Sequence, residues 1–149
     1  MSASWKCVQF SELNGFEVYE LLLLREQVFI LEQECLYSDI DGIDLHAYHV
    51  LGMSSDRLIG YARIYQGDSP GTVKIGRIVV PQSDRALGLG KELVSTAIAF
   101  AQEIYSPESI HISAQSYLLN FYKSFGFSEV GESYMLDGIP HNNMILLPV

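Results

Sequence analysis

The sequence predicts an α/β fold, a mixed sheet with helices on both faces. Two observations predict it. The apolar patterns read in order as strand, helix, three strands, helix, strand, helix, two strands. The composition, 48% hydrophobic and 18% charged over 149 residues, suits one domain, 1–149, around one core.

Residues 5–9 read as the first short strand. Ser11 is placed to cap a helix in which Phe16, Tyr19, Leu22, Leu23 and Glu26 recur at helical spacing. Residues 32–46 are polar and loop-like, with room for one helical turn. Residues 48–53 form a strand, and Ser55-Asp56 turns into the next, 58–66. The run GDSPG, 67–71, is a loop, and the β-rich run 72–80 stops at Pro81. In the long helix that follows, Leu89, Leu93, Ala97 and Ala101 share one face beside Gly90, Val94 and Ile98, and Pro107 marks its end. A strand over 109–114 leads to a short helix, 117–125, stopped by Gly126. Strands 127–135 and 144–147 flank the turn Asp137-Gly138-Ile139-Pro140.

A formal charge of −9 repels phosphate backbones and argues against nucleic-acid binding. An anionic ligand would need a local cationic site. The longest aliphatic block, Leu21 through Leu24, stops at Arg25, far short of the roughly 18 residues that cross a bilayer. MSASWKCVQF lacks the charged-then-apolar order of a secretion signal. Cys7 and Cys35 lack metal-ligand spacing and read as free thiols, which points to the cytoplasm. Homodimer formation through a terminal strand or helix stays open.

The most informative stretch is IVVPQSDRALGLGKEL, residues 78–93: a strand end, a loop, and a helix that starts among glycines. Helix starts expose unpaired N–H groups and attract anions, and Gly88 and Gly90 allow close approach. Arg85 and Lys91 add positive charge. An ATP-type loop needs Ser or Thr after Gly90-Lys91, where Glu92 stands, and Leu93 occupies the third glycine position of a dinucleotide fingerprint. Arg85-Ala86-Leu87-Gly88-Leu89-Gly90 instead matches Arg-x-x-Gly-x-Gly, and Tyr122-Lys123-Ser124-Phe125-Gly126-Phe127 matches Tyr-x-x-x-Gly-Phe. With Val80-Pro81, these motifs resemble the GCN5-related N-acetyltransferase (GNAT) superfamily. Glu32-Gln33, Asp39-Ile40-Asp41-Gly42, Tyr61-Ala62-Arg63, Gly76-Arg77, Ala114-Gln115 and Asp137-Gly138-Ile139-Pro140-His141 narrow the resemblance to its ElaA-like subfamily.

The resemblance implies a mostly antiparallel sheet whose splayed strand pair, 72–80 and 109–114, holds acetyl-CoA. It implies that the backbone of Ile78, Val79 and Val80 holds the pantetheine arm, and that a bulge aims an N–H near Ile78 or Val79 at the thioester oxygen. The pyrophosphate falls to the N–H groups of Leu87, Gly88, Leu89, Gly90 and Lys91, with Arg85, Ala86, Gln115 and Phe121 also lining the cofactor. Tyr122 is the implied acid for the leaving thiolate. Glu32, Glu132 and His141 are the candidate bases, none of them on the strand where many relatives carry a glutamate. His141 is the second catalytic candidate, because histidine changes charge near neutral pH. Gln115 stands where many relatives have asparagine. No metal is implied.

SDIDGIDLHAYH, residues 38–49, looks like a metal loop. With Gly42 at the sixth position of a calcium loop, Tyr37 and Tyr48 fall where acids are required. His46 and His49 straddle a strand start, which disfavours zinc. Arg63 and Arg77 lie mid-strand, where burial demands partners. Residues 32–46 are therefore expected to fold over the sheet, with Asp39, Asp41, Asp44 or Glu32 pairing Arg63 or Arg77. Glu32, Gln33, Asp39, Asp41, Arg63 and Arg77 then shape the acceptor pocket. The functions in competition are an N-acetyltransferase using acetyl-CoA and an amine, a non-catalytic acyl-CoA-binding module, and a metal-dependent domain built on the aspartates.

Overall fold

Seven strands pair in the order β1-β2-β3-β4-β5-β7-β6 in the computed structural model, which describes residues 3–148. They are β1 (Ser4–Gln9), β2 (Tyr48–Ser54), β3 (Arg57–Gln66), β4 (Thr72–Val79), β5 (Ser109–Gln115), β6 (Ser128–Leu136) and β7 (Ile139–Leu146). Three α-helices connect them: α1 (Gly15–Arg25), α2 (Leu89–Tyr105) and α3 (Leu119–Lys123). Every neighbouring pair is antiparallel except β4 and β5.

Helices cover both faces. On one, Leu21 and Leu24 of α1, with Val28, pack against Leu51, Leu58, Tyr61 and Val79. On the other, Leu93, Val94, Ala97 and Ala101 of α2 and Tyr122 of α3 pack against Val50, Ala62, Ile64, Ile110, Ile112 and Met144. Strand alternation therefore puts Ile110, Ile112 and Ala114 under α2, and His111, Ser113 and Gln115 on the α1 face. Among the described residues, no helix is long and apolar enough to cross a membrane.

Three expectations change in detail. The cap of α1 is Asn14, not Ser11. Its side chain accepts from the Glu17 N–H at 2.8 Å, and the Glu17 carboxylate accepts from the Asn14 N–H at 3.0 Å. Ser11 instead sits in a 3-10 turn, Phe10–Glu12. The helix expected to run through Glu26 continues past α1 as a π-helical stretch, Glu26–Glu32. The expected helix over 117–125 is a 3-10 turn, Ser116–Leu118, followed by α3. The last turn is only Asp137-Gly138, both at positive φ, so Ile139, Pro140 and His141 already belong to β7.

Two irregularities open the sheet. Tyr61 pairs with Val79 but Arg63 with Gly76, so β4 carries one extra residue there, and Arg77 takes φ +51°. β4 and β5 pair only from Thr72/Ser109 to Lys74/His111, and the rest of the two strands leaves the ladder. The result is a wedge that opens towards Val80 and Gln115.

Candidate active site

A cavity of about 890 Å³ runs along the wedge and is lined by Ile78, Val79, Val80, Gln115, Tyr122 and His141, among others. Its outer end is built by the chain after β4. Pro81 starts a 3-10 turn, Gln82–Asp84, and Arg57 grips the buried Asp84 carboxylate through two bonds of 2.7 Å each. Ala86 and Gly88 then take left-handed backbone, at φ +66° and +77°, before α2 begins at Leu89. Alternating backbone handedness turns successive N–H groups to one side, and the first turn of a 17-residue helix adds its own unpaired donors. A side-chain carbon at Gly88 would meet nothing within 4 Å, and one at Gly90 only the Phe121 ring edge at 3.9 Å. The backbone there can be approached without meeting a side chain.

Leu87 and Lys91 are exposed on this loop and first turn. Arg85 bonds both carboxylate oxygens of Glu32, at 2.6 and 2.9 Å, and its Nε donates to the Val80 carbonyl at 3.2 Å. Glu32, at the end of the π stretch, is thus brought against the loop. Gln33 beside it accepts from the Gln115 amide at 3.3 Å, which ties the end of β5 to the same segment.

Tyr122 reaches the cavity from α3. Its ring packs edge-on against Phe121 and Phe127, at 5.1 and 6.1 Å between centroids. Burial, with Tyr117 as a lesser cause, pushes its hydroxyl up to about 12, so it stays protonated at neutral pH. His141 enters from β7, opposite Gln115 in the ladder, and stacks on Tyr134. Its Nδ1 lies 2.7 Å from the Ile139 carbonyl. A carbonyl only accepts, so Nδ1 carries the hydrogen and the neutral ring presents a lone pair on Nε2. Tyr134 is fixed in turn by Ser113 and by Asn143, to which it donates at 2.7 Å. Glu132 lies on exposed β6, in the irregular stretch between Val130 and Tyr134.

The acidic segment answers the arginines in a closed ring. Arg25 pairs with Asp39 at 2.9 Å and with Asp44 at 2.8 Å. Arg63 pairs with Asp44 at 2.9 Å and with Asp41 at 2.7 Å. Arg77 pairs with Asp41 at 3.4 Å and with Asp39 at 2.8 Å. Three cations and three anions alternate, each touching two of the other kind. Burial raises the Asp41 carboxyl, but bonding to Arg63 outweighs this, and with Arg77 nearby the carboxyl falls to about 2. His49 fastens the segment from beneath. Its Nε2 donates to the Asp44 carbonyl at 2.8 Å and its Nδ1 accepts from the Tyr61 hydroxyl at 2.6 Å, while burial holds the ring neutral. Asp39, Asp41, Arg63 and Arg77 thus answer one another's charge. Sequence reasoning missed Arg25 and the structural work of His49. A signal for Arg25 existed: it lies four residues after Leu21 and three before Val28, on the buried stripe.

Residues 14–148 match the family model described as an acetyltransferase (GNAT) domain. The chain belongs to the GNAT family. It is 41% identical over 143 residues to protein ElaA of Escherichia coli (strain K12), covering 94% of each chain. The crystal structure of E. coli ElaA superposes with a TM-score of 0.92 at 39% identity, covering 97% of this chain and 99% of that one. An acyl-CoA N-acyltransferase from Pseudomonas aeruginosa gives the same TM-score at 35% identity and the same coverage. A Bacillus subtilis acetyltransferase solved in complex with CoA shares the GNAT fold, with a TM-score of 0.69 at 21% identity over 99% of this chain and 100% of that one.

Proposed function

We propose that this GNAT protein is an N-acetyltransferase that moves the acetyl group of acetyl-CoA directly to a primary amine within a ternary complex. One observation supports this above the rest. The splayed strands, the bulge on β4, the loop before α2 through Arg85, Ala86 and Gly90, and Tyr122 of α3 all line one cavity. In this reading the pyrophosphate sits on the N–H groups of residues 86–91, and the pantetheine arm extends the edge of β4 along Ile78, Val79 and Val80. Phe121 and Gln115 flank the arm.

The chemistry then follows. An N–H at Ile78 or Val79 donates to the thioester oxygen, and one such donor is worth about 3 kcal/mol as charge builds there. The amine nitrogen attacks the carbonyl carbon, and the C–S bond breaks. Tyr122 gives its proton to the departing sulfur, and the His141 Nε2 takes a proton from the attacking amine, directly or through water. Glu32 is less suited to act as base while it bonds Arg85. Gln33, Arg63 and Arg77 form the wall of the acceptor side, and the aspartates bond the two arginines from outside the cavity lining. The reaction needs no metal, and we place it in the cytoplasm, in keeping with the two free cysteines.

Thiol release from acetyl-CoA, measured across amines and peptides, tests the assignment. Amine-dependent release is expected. Tight CoA binding with no release for any acceptor would favour the non-catalytic acyl-CoA module.

A further inference from the structure

Arg77 is the sole non-glycine residue inside a strand, among those described, with left-handed backbone. Side chains disfavour that conformation, and an arginine gains nothing from it locally. Something outside the strand must hold it. The bonds of its guanidinium identify the holder. Nε donates to Asp39 Oδ1 at 2.8 Å, and Nη2 donates to the Asp39 carbonyl at 3.2 Å and to Asp41 Oδ2 at 3.4 Å. The group also lies over the Tyr37 ring, 5.5 Å from its centroid. Asp39 and Asp41 are anchored on their far sides by Arg25 and Arg63, whose side chains are 0% and 2% exposed. A continuous set of ion pairs runs from beneath the flap, through two aspartates, to the one residue whose backbone makes the bulge.

We propose that Arg77 is a positioning residue, through which Asp39 and Asp41 hold the β4 bulge in the shape that aims an N–H at the thioester oxygen. The inference rests on the proposed acetyl-CoA reading but goes beyond it. It makes the acidic flap part of the oxyanion machinery rather than only a wall of the acceptor pocket. Release of the guanidinium lets residue 77 return to ordinary strand backbone. The extra residue is then absorbed, and the register of Ile78 and Val79 against β3 shifts from the present one, in which Val79 stands opposite Tyr61.

Comparison of Arg77→Ala with Arg77→Gly separates this from a simple contact with substrate, because glycine adopts positive φ freely and alanine does not. The first readout needs no ligand: amide hydrogen exchange at Ile78 and Val79 in the ligand-free protein. Arg77→Ala is expected to slow at least one of these amides about tenfold or more, and Arg77→Gly to leave both near the wild-type rate. The second is the infrared band of the carbonyl in bound acetyl-CoA labelled with carbon-13 at C1 of the acetyl group. The wild type is expected to lower its frequency relative to free acetyl-CoA. Arg77→Ala should lose at least half of that shift, and Arg77→Gly should keep more than half. Equal behaviour of the two variants in both readouts, or wild-type exchange rates in Arg77→Ala, overturns the proposal. Failure of every variant and the wild type to bind acetyl-CoA overturns the functional reading instead, while the exchange result still decides whether the flap holds the bulge.

Discussion

Replacing Arg25 with methionine removes a guanidinium that water does not reach, at 0% exposure. Three hydrogen bonds of 2.9, 2.8 and 2.8 Å go with it, two to carboxylates and one to the Asp39 carbonyl. Hydrogen bonds to charged groups contribute about 1.5–3 kcal/mol each. Breaking a buried pair by removing one partner costs about 3–5 kcal/mol. Two features place the loss near the lower end. Methionine refills much of the aliphatic stem, and each orphaned carboxylate keeps one arginine, Asp39 with Arg77 and Asp44 with Arg63. The expected loss is about 3 kcal/mol, which for a chain of this length lowers Tm by roughly 6–12 °C. Urea titration followed by tryptophan fluorescence measures it. A double-mutant cycle with Asp44→Asn isolates the ring, and the double variant should lose at least about 1 kcal/mol less than the two single losses combined. A loss under about 1 kcal/mol for Arg25→Met, or strict additivity in the cycle, refutes the ring as a cooperative unit.

Other consequences are open to simpler tests. Asp41 has its carboxyl lowered from 3.8 to about 2, so its contribution is complete above pH 4 and lost as pH falls towards 2. The urea midpoint of the wild type should drop across that window, and Asp41→Asn should flatten the drop. A side-chain carbon at Gly52 would lie 2.4 Å from Cζ3 of the Trp5 ring, so Gly52→Ala should destabilise the β1–β2 edge by about 1–3 kcal/mol in the same titration. Gly88→Ala places a side chain at φ +77° in the loop before α2. Calorimetry should show acetyl-CoA affinity down about tenfold or more, with a loss of stability of only about 1 kcal/mol.

The element order, the apolar face of α2 and the glycine loop were legible because each is written in residue type at short range. Asn14-x-x-Glu17 carries the capping-box pattern in the sequence, three residues beyond Ser11. The pairing of the aspartates with Arg63 and Arg77 followed from one physical demand, that buried guanidinium groups need partners. Arg25 escaped because it follows four leucines and looks like the polar end of a helix. Only the continuation into Glu26–Glu32 turns it inward. The splay of β4 from β5 and the left-handed Arg77 are tertiary: no residue type in TVKIGRIV announces them, and the family resemblance alone pointed there. The metal-like stretch 38–49 was ambiguous for the same reason, since aspartates ligating a cation and aspartates ligating guanidinium groups look alike until the arginines are in place.

Tyr122 is the proposed acid for the departing sulfur of acetyl-CoA. Tyr122→Phe tests it most directly, because the phenyl ring keeps the packing against Phe121 and Phe127 and removes only the hydroxyl. With an amine that supports thiol release by the wild type, kcat should fall about 100-fold or more while the Kd for CoA changes less than about threefold. An unchanged kcat in Tyr122→Phe would exclude Tyr122 as that acid.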